Sequence, residues 1–190
     1  SILKKHFMIA NTLGCRVVGT ETGSLNDNYK PHEDNHSEES YIVFKDIIEK
    51  ALMSAQQYDT VLAVEAVSHH IIHSLKSMCR LISEINHDRL KVIFDISNLM
   101  TIENWKYQDD IMRTAFRLLG EHIIVVHMKD FDFIHGEKVI LPLGEGKLNI
   151  DLLMSLVKKS QASIDVLGEN VPFEKLKSTY TLLEKYASVI

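Results

Sequence analysis

Cysteine is scarce in this sequence. With only Cys15 and Cys79 among 190 residues, no disulfide framework can hold the fold, and the pair fits a reducing cytoplasm as buried small apolar residues. Long apolar runs are missing as well. None approaches the roughly 18 residues that a membrane-spanning helix needs, and the opening SILKKH lacks the apolar stretch and small-residue cleavage site of a secretory signal. Positive charge is not in excess: the formal net charge of -5 leaves no basic stripe for a nucleic acid. No G-x-G-x-x-G follows a strand, so the phosphate turn of a doubly wound dinucleotide-binding sheet is absent. What remains is a cytoplasmic protein with a small-molecule ligand, no nucleic acid and no membrane. Its 45% apolar and 25% charged residues suit an ordinary globular domain, taken as one domain over residues 1–190.

Against these absences stands one repeated pattern. Four apolar, strand-forming runs each end in a charged or coordinating residue: Val61-Leu62-Ala63-Val64-Glu65, Val92-Ile93-Phe94-Asp95, Val125-Val126-His127-Met128-Lys129-Asp130 and Ile164-Asp165-Val166-Leu167-Gly168-Glu169. Glu65, Asp95, His127 and Glu169 lie 30, 32 and 42 positions apart, close to one βα unit each. Periodicity predicts helices at 2–13, 41–58, 75–85, 107–119, 150–159 and 172–186, and strands at 15–22, 61–67, 90–96, 123–129 and 163–169. Gly14 is placed to stop the first helix, Ser74 to cap the third, and Pro172 to start the last. Residues 24–39, 97–105 and 131–146 read as loops. Strict alternation implies parallel strands joined by right-handed crossovers.

Functional groups at the C-terminal ends of several strands are the mark of a (β/α)8 TIM barrel rather than an open sheet. Such a barrel needs about 250 residues, and the sequence holds about five parallel strands. The expectation is therefore the C-terminal part of a TIM barrel, with about three βα units preceding it in a longer chain. Open strand edges would then need covering, and a homodimer is one way to cover them.

Side chains alternate along a strand, so Ala63 and Glu65 share a face, as do Ile93 and Asp95, and Val125, His127 and Lys129. On the inward face of neighbouring strands, Glu65, Asp95, His127 and Glu169 would surround one point. Three carboxylates and a neutral imidazole repel one another unless a cation neutralises them. The donor set suits one divalent ion, Mn²⁺, Mg²⁺ or Co²⁺, with Zn²⁺ also acceptable, and no thiolate selects a softer metal. Asp165 competes with Glu169 for the last place but sits early in its strand.

The segments GTETG, VEAVSHH, VIFDISNL, VHMKD and LGEN resemble, in order and spacing, those of the sugar phosphate isomerase/epimerase family with the xylose isomerase-like TIM-barrel fold. That resemblance implies that Glu65, Asp95, His127 and Glu169 bind one metal. It also implies that Glu65 and Glu169 act as acid and base on a ketose, through an enediolate. The substrate would be a sugar, a sugar phosphate or a keto-polyol, and dehydration of a cyclic keto-polyol is a close variant. Departures fall in the sugar-binding positions: Asn98 stands where relatives carry His, Ile71 where epimerases carry Glu, and Phe133 where they carry Arg. His70, Glu21, Asn98 and Lys129 are the candidate substrate contacts. Each has a plainer alternative: for Lys129 a salt bridge to Asp130, Asp132 or Glu145, for Asn98 a cap, for Glu21 a turn. Trp105 could wall the pocket, and Gly144-Glu145-Gly146 could cradle a phosphate or merely turn the chain. The rival to an enzyme is a truncated or degenerate barrel that binds metal or a small ligand without catalysis.

Overall fold

Each of the predicted strands forms in the computed structural model, which describes residues 2–187. The chain divides into two units, residues 1–93 and 94–190. The first opens on helix α1 (Ile2–Leu13). Phe7 and Ala10 are buried, whereas Ile2, Ile9 and Leu13 are exposed. Gly14 ends the helix at φ +72°, a backbone that favours glycine, and the Cys15 N–H returns to the Ala10 carbonyl at 2.8 Å. Strand β1 (Val17–Glu21) follows, then helix α2 (Glu38–Gln57). This helix begins three residues before the expected 41, because Ser37 accepts from the Ser40 N–H and Glu38 and Glu39 favour the positive helix end.

Strand β2 (Val61–Glu65) leads to helix α3 (Leu75–Ile85), capped by Ser74 as expected and completed by a reciprocal bond from Ser77. Strand β3 (Leu90–Phe94) follows. The three strands are parallel, with Val17 opposite Val61, Glu21 opposite Glu65 and Leu62 opposite Leu90. Leu62, Ala63 and Val64 are each 0% exposed, as in a parallel strand covered on both faces. The loop at 22–37 is not slack. Buried Asn35 donates to the His69 carbonyl at 2.7 Å and accepts from the Leu25 N–H at 2.9 Å. Thr22 Oγ1 accepts from the Ile72 N–H at 3.0 Å. These bonds fasten the loop after β1 to the loop after β2.

The second unit begins at Phe94, and Asp95 leads into a four-residue helix α4 (Ile96–Leu99), where residue 96 was expected to end a strand and 97–99 to be loop. Helix α5 (Gln108–Leu119) and strand β4 (Ile123–Met128) follow. The expected loop at 131–146 is corrected to a hairpin, β5 (Asp130–Ile134) and β6 (Glu137–Leu141), paired antiparallel as a separate two-stranded sheet. His135 and Gly136 turn it with φ of 53° and 85°, the positive angles of a two-residue hairpin turn. Helix α6 (Ile150–Lys159) is capped by Asn149. Strand β7 (Asp165–Gly168) pairs parallel to β4, with His127 opposite Leu167. Pro172 caps a 3-10 turn rather than entering the helix, so α7 (Leu176–Ala187) starts four residues later than expected. Cys15 is exposed and Cys79 partly so, against the expected burial. No helix among the described residues is long and apolar enough to cross a membrane.

Candidate metal centre

The site is built from residues that leave the strands at their C-terminal ends. Asp95 directly follows β3 and caps α4: its Oδ1 accepts from the Asn98 N–H at 3.1 Å. That bond fixes the carboxylate, which is only 2% exposed. His127 lies in β4, and Lys129 follows that strand on the same side of the pleat. Glu169 directly follows β7, and its N–H continues the pairing with β4 by donating to the Met128 carbonyl at 3.1 Å.

These side chains meet. Lys129 Nζ lies 3.0 Å from Asp95 Oδ2 and 2.8 Å from Glu169 Oε2. His127 Nδ1 lies 3.2 Å from the same Glu169 oxygen. The ligand atoms of Asp95, His127 and Glu169 all fall within 4.8 Å of one another. The His127 hydrogen bond, helped by Lys129 against the opposing effect of burial, brings the Glu169 carboxyl down to about 2. Burial by itself would pull the Lys129 ammonium down, but Asp95 and Glu169 outweigh it and hold it above the ordinary lysine value.

In the first unit, Glu65 ends β2 and is 4% exposed, with Glu21 as its register partner on β1. Glu21 Oε2 lies 3.5 Å from Nδ1 of His70, itself 2% exposed. Burial, then the neighbouring His69, hold His70 below the ordinary histidine value and favour its neutral form. Two more histidines stand on these loops: the His36 and His73 rings stack at 3.7 Å.

Several expectations change on inspection. Lys129 pairs with Asp95 and Glu169, and each acid it was expected to meet is engaged elsewhere. Asp132 pairs with Lys147 at 3.0 Å and Glu145 with Lys175 at 2.6 Å. Asp130 turns to the backbone: its carboxylate accepts from the N–H groups of Phe131, Gly144, Gly146 and Leu148 at 2.8 to 3.0 Å. The glycine turn at 144–146 is therefore no open phosphate cradle, since the chain's own carboxylate fills it. Asp165 is exposed in β7 and takes no part in the cluster. Asn98, through its backbone, positions Asp95. Trp105 stacks on Phe133 at 6.4 Å, with Lys147 Nζ 5.3 Å from its ring. Phe133 and Ile71 thus sit in packing and loop roles, Ile71 donating its N–H to the Gly23 carbonyl at 3.2 Å. Two residues were not foreseen: Asp130 as a loop anchor, and Lys138, whose Nζ reaches the carbonyls of Ser97 and Met100.

Two carboxylates and an imidazole form an oxygen-and-nitrogen donor set that suits a hard or borderline divalent ion. The Lys129 ammonium lies against the same two carboxylates, so the cluster is built around positive charge. The donor set fits a metal.

The sequence matches the xylose isomerase-like TIM barrel family over residues 1–170. The chain belongs to that family and carries five parallel strands of its barrel. A search of curated protein sequences returned no match. Among solved structures, a xylose isomerase domain protein from Planctomyces limnophilus superposes with a TM-score of 0.74 at 16% identity, covering 100% of this chain and 64% of its own. A xylose isomerase-like TIM barrel protein from Mycobacterium smegmatis, in complex with magnesium, gives 0.71 at 12% identity over 98% of this chain and 66% of its own. A D-tagatose 3-epimerase-like protein gives 0.74 at 18% identity over 98% and 67%. This chain thus spans about two thirds of the length of these structures.

Proposed function

We propose that this chain is the C-terminal part, acting as one domain, of a divalent-metal-dependent isomerase or epimerase of a sugar or keto-polyol. The observation that carries the proposal is the cluster of Asp95, His127 and Glu169, each at or just beyond the end of a different strand, with ligand atoms within 4.8 Å of one another. Glu65, buried at the end of β2, is the fourth ligand of the proposed set. The family, and the magnesium bound to the Mycobacterium smegmatis protein, support this reading. The epimerase-like neighbour supports a carbohydrate substrate.

A bound divalent ion would supply Lewis-acid stabilisation of negative charge on a carbonyl oxygen. The chain's own residues then have separate tasks. Glu169 is ionised at neutral pH and can accept a proton from the carbon beside the carbonyl. Glu65 is the proposed partner that returns a proton, so the two glutamates serve as base and acid. Lys129, held between Asp95 and Glu169, can donate hydrogen bonds to a substrate oxygen carrying developing charge. Glu21 and His70, both on the loop side of β1 and β2, orient substrate hydroxyls, and Asn98 holds Asp95 in place.

Mn²⁺ should raise the melting temperature of the wild-type chain, and Asp95→Asn should abolish that rise. Incubation of the Mn²⁺-loaded protein with a panel of ketoses in deuterium oxide should place deuterium next to a carbonyl. A chain that gains no stability from any divalent ion would sink the proposal. A second reading, a barrel that binds without catalysis, is favoured by Ile71 and Phe133, where packing residues replace polar groups that contact the sugar in epimerases. Metal binding without deuterium incorporation on any ketose would select it.

A further inference from the structure

Lys138 lies on the hairpin, outside the cluster, and the proposed chemistry makes no use of it. Its Nζ donates to the carbonyl of Ser97 at 2.9 Å and to that of Met100 at 3.1 Å. Ser97 is the second residue of α4 and Met100 its C-cap. At four residues, α4 has a single turn to hold its shape: the Ser97 carbonyl accepts from the Met100 N–H at 3.2 Å, and Lys138 adds a second donor there and one to the Met100 carbonyl. The N-terminal end of the same turn is Asp95, bound through Oδ1 to the Asn98 N–H. Residues 96–99 are all buried, so water does not reach these carbonyls freely.

The turn is therefore clamped at both ends: by the candidate metal ligand at its start, and by a lysine from a distant strand at its finish. Ordered contacts hold the lysine in turn. The hairpin lies against the segment after α4 through the Phe133 and Trp105 rings, and Asp132 on the same strand pairs with Lys147. Burial pulls the Lys138 ammonium down, and the field of Asp95 opposes that effect.

We propose that Lys138 is a positioning residue for the metal centre: by capping the Ser97 and Met100 carbonyls, it keeps α4 wound and so keeps the Asp95 carboxylate aimed at the cluster. This assigns a task to the β5–β6 hairpin, which among the described residues forms a two-stranded sheet of its own. The positioning claim stands on geometry, and its consequence for metal binding rests on the function proposed above.

The test compares wild type with Lys138→Met, of similar length without a donor, and Lys138→Arg, which can still donate to both carbonyls. Amide hydrogen exchange at Asn98, read by NMR on the full chain without metal, reports whether the turn is wound. Lys138→Met should accelerate that exchange about tenfold or more while Val126 in β4 stays protected, and Lys138→Arg should restore it. In parallel, Mn²⁺ affinity should fall about tenfold in Lys138→Met, as for loss of an outer-sphere partner, at a temperature where the metal-free protein is still folded. Unchanged Asn98 exchange in Lys138→Met would overturn the proposal, whatever the metal does. Should that variant fail to fold, Lys138→Leu, which also lacks a donor, gives the same reading, and wild-type exchange at Asn98 in it overturns the proposal equally. Failure of wild type to bind Mn²⁺ would instead overturn the metal function, and the exchange measurement would still decide the role of Lys138.

Discussion

Lys129 stands between two acids, and its removal leaves their charges uncompensated. Lys129→Met takes the ammonium from Asp95, which is 2% exposed, and from Glu169. Breaking a buried pair by deleting one partner costs about 3 kcal/mol. Urea unfolding without metal should show a loss of that order, and Mn²⁺ should recover a larger share in the variant than in wild type. Wild-type stability in the metal-free variant would mean that Asp95 and Glu169 do not rely on Lys129. Asp130→Ala strips four backbone N–H groups of their acceptor. Charged hydrogen bonds contribute roughly 1.5 to 3 kcal/mol each, though not additively, and amide exchange at Gly144, Gly146 and Leu148 should rise together. Asp95, His127 and Glu169 were legible in the sequence because each ends an apolar run, where an unpaired acid or imidazole would be costly to bury. The partners of Lys129 and Asp130 were not. Which acid a lysine reaches depends on strand register and loop path, and adjacent Lys129 and Asp130 leave the chain toward different neighbours.

Among the elements, the strands and long helices follow from periodicity, and the hairpin does not. Its signal was present: Phe131 and Phe133 alternate with Asp130 and Asp132, and His135-Gly136 supplies a turn. A long loop was the expected neighbour of a barrel strand, and that expectation hid the alternation. The short α4 was hidden for another reason, since four residues are too few for a helical period. The paired loops after β1 and β2 carry a pH dependence. Burial, then the charges His73 and His69 would carry, hold His36 below its ordinary value of 6.5. A lowered value means that the unfolded chain takes up the proton more readily. The contribution of His36 is therefore complete above 6.5 and is lost as pH falls through the lower folded value. After correction for intrinsic rates, amide exchange in residues 66–73 should quicken as pH falls below 6.5, and His36→Asn should flatten that response. Equal slopes in the two proteins would remove His36 as the cause.

At the scale of the molecule, alternation of apolar runs and amphipathic helices was enough to reach a parallel sheet with helical crossovers, which admits few arrangements; the family followed from the resemblance of the segments at the strand ends, not from periodicity. The sugar-binding set was not reachable in the same way: Asn98, Ile71 and Phe133 depart from it, and the contacts seen here are a backbone N–H given to Asp95, a loop bond and a ring stack. Acid stability has a separate source in the first unit. Arg80 binds Glu38 and Glu84, and Glu84 also accepts from Tyr41 at 3.0 Å and Lys45 at 3.2 Å, joining α2 to α3. The Arg80 hydrogen bond leads in lowering the Glu84 carboxyl from 4.5 to about 2. Its contribution is present above 4.5 and is lost as pH falls toward 2, so Glu84→Gln should make stability less sensitive to acid across that window. Unfolding midpoints measured at several acidic pH values, in wild type and variant, check this.

Under the function proposed above, the Asp130 carboxylate selects against phosphorylated substrates. A phosphate ester entering beside Gly144 and Gly146 would find the amides already bonded to a fixed anion, and would be repelled by it. Nearby cations are spoken for as well, Lys147 by Asp132 and Lys175 by Glu145. In a competition between a free ketose and its phosphorylated counterpart, the uncharged sugar should win.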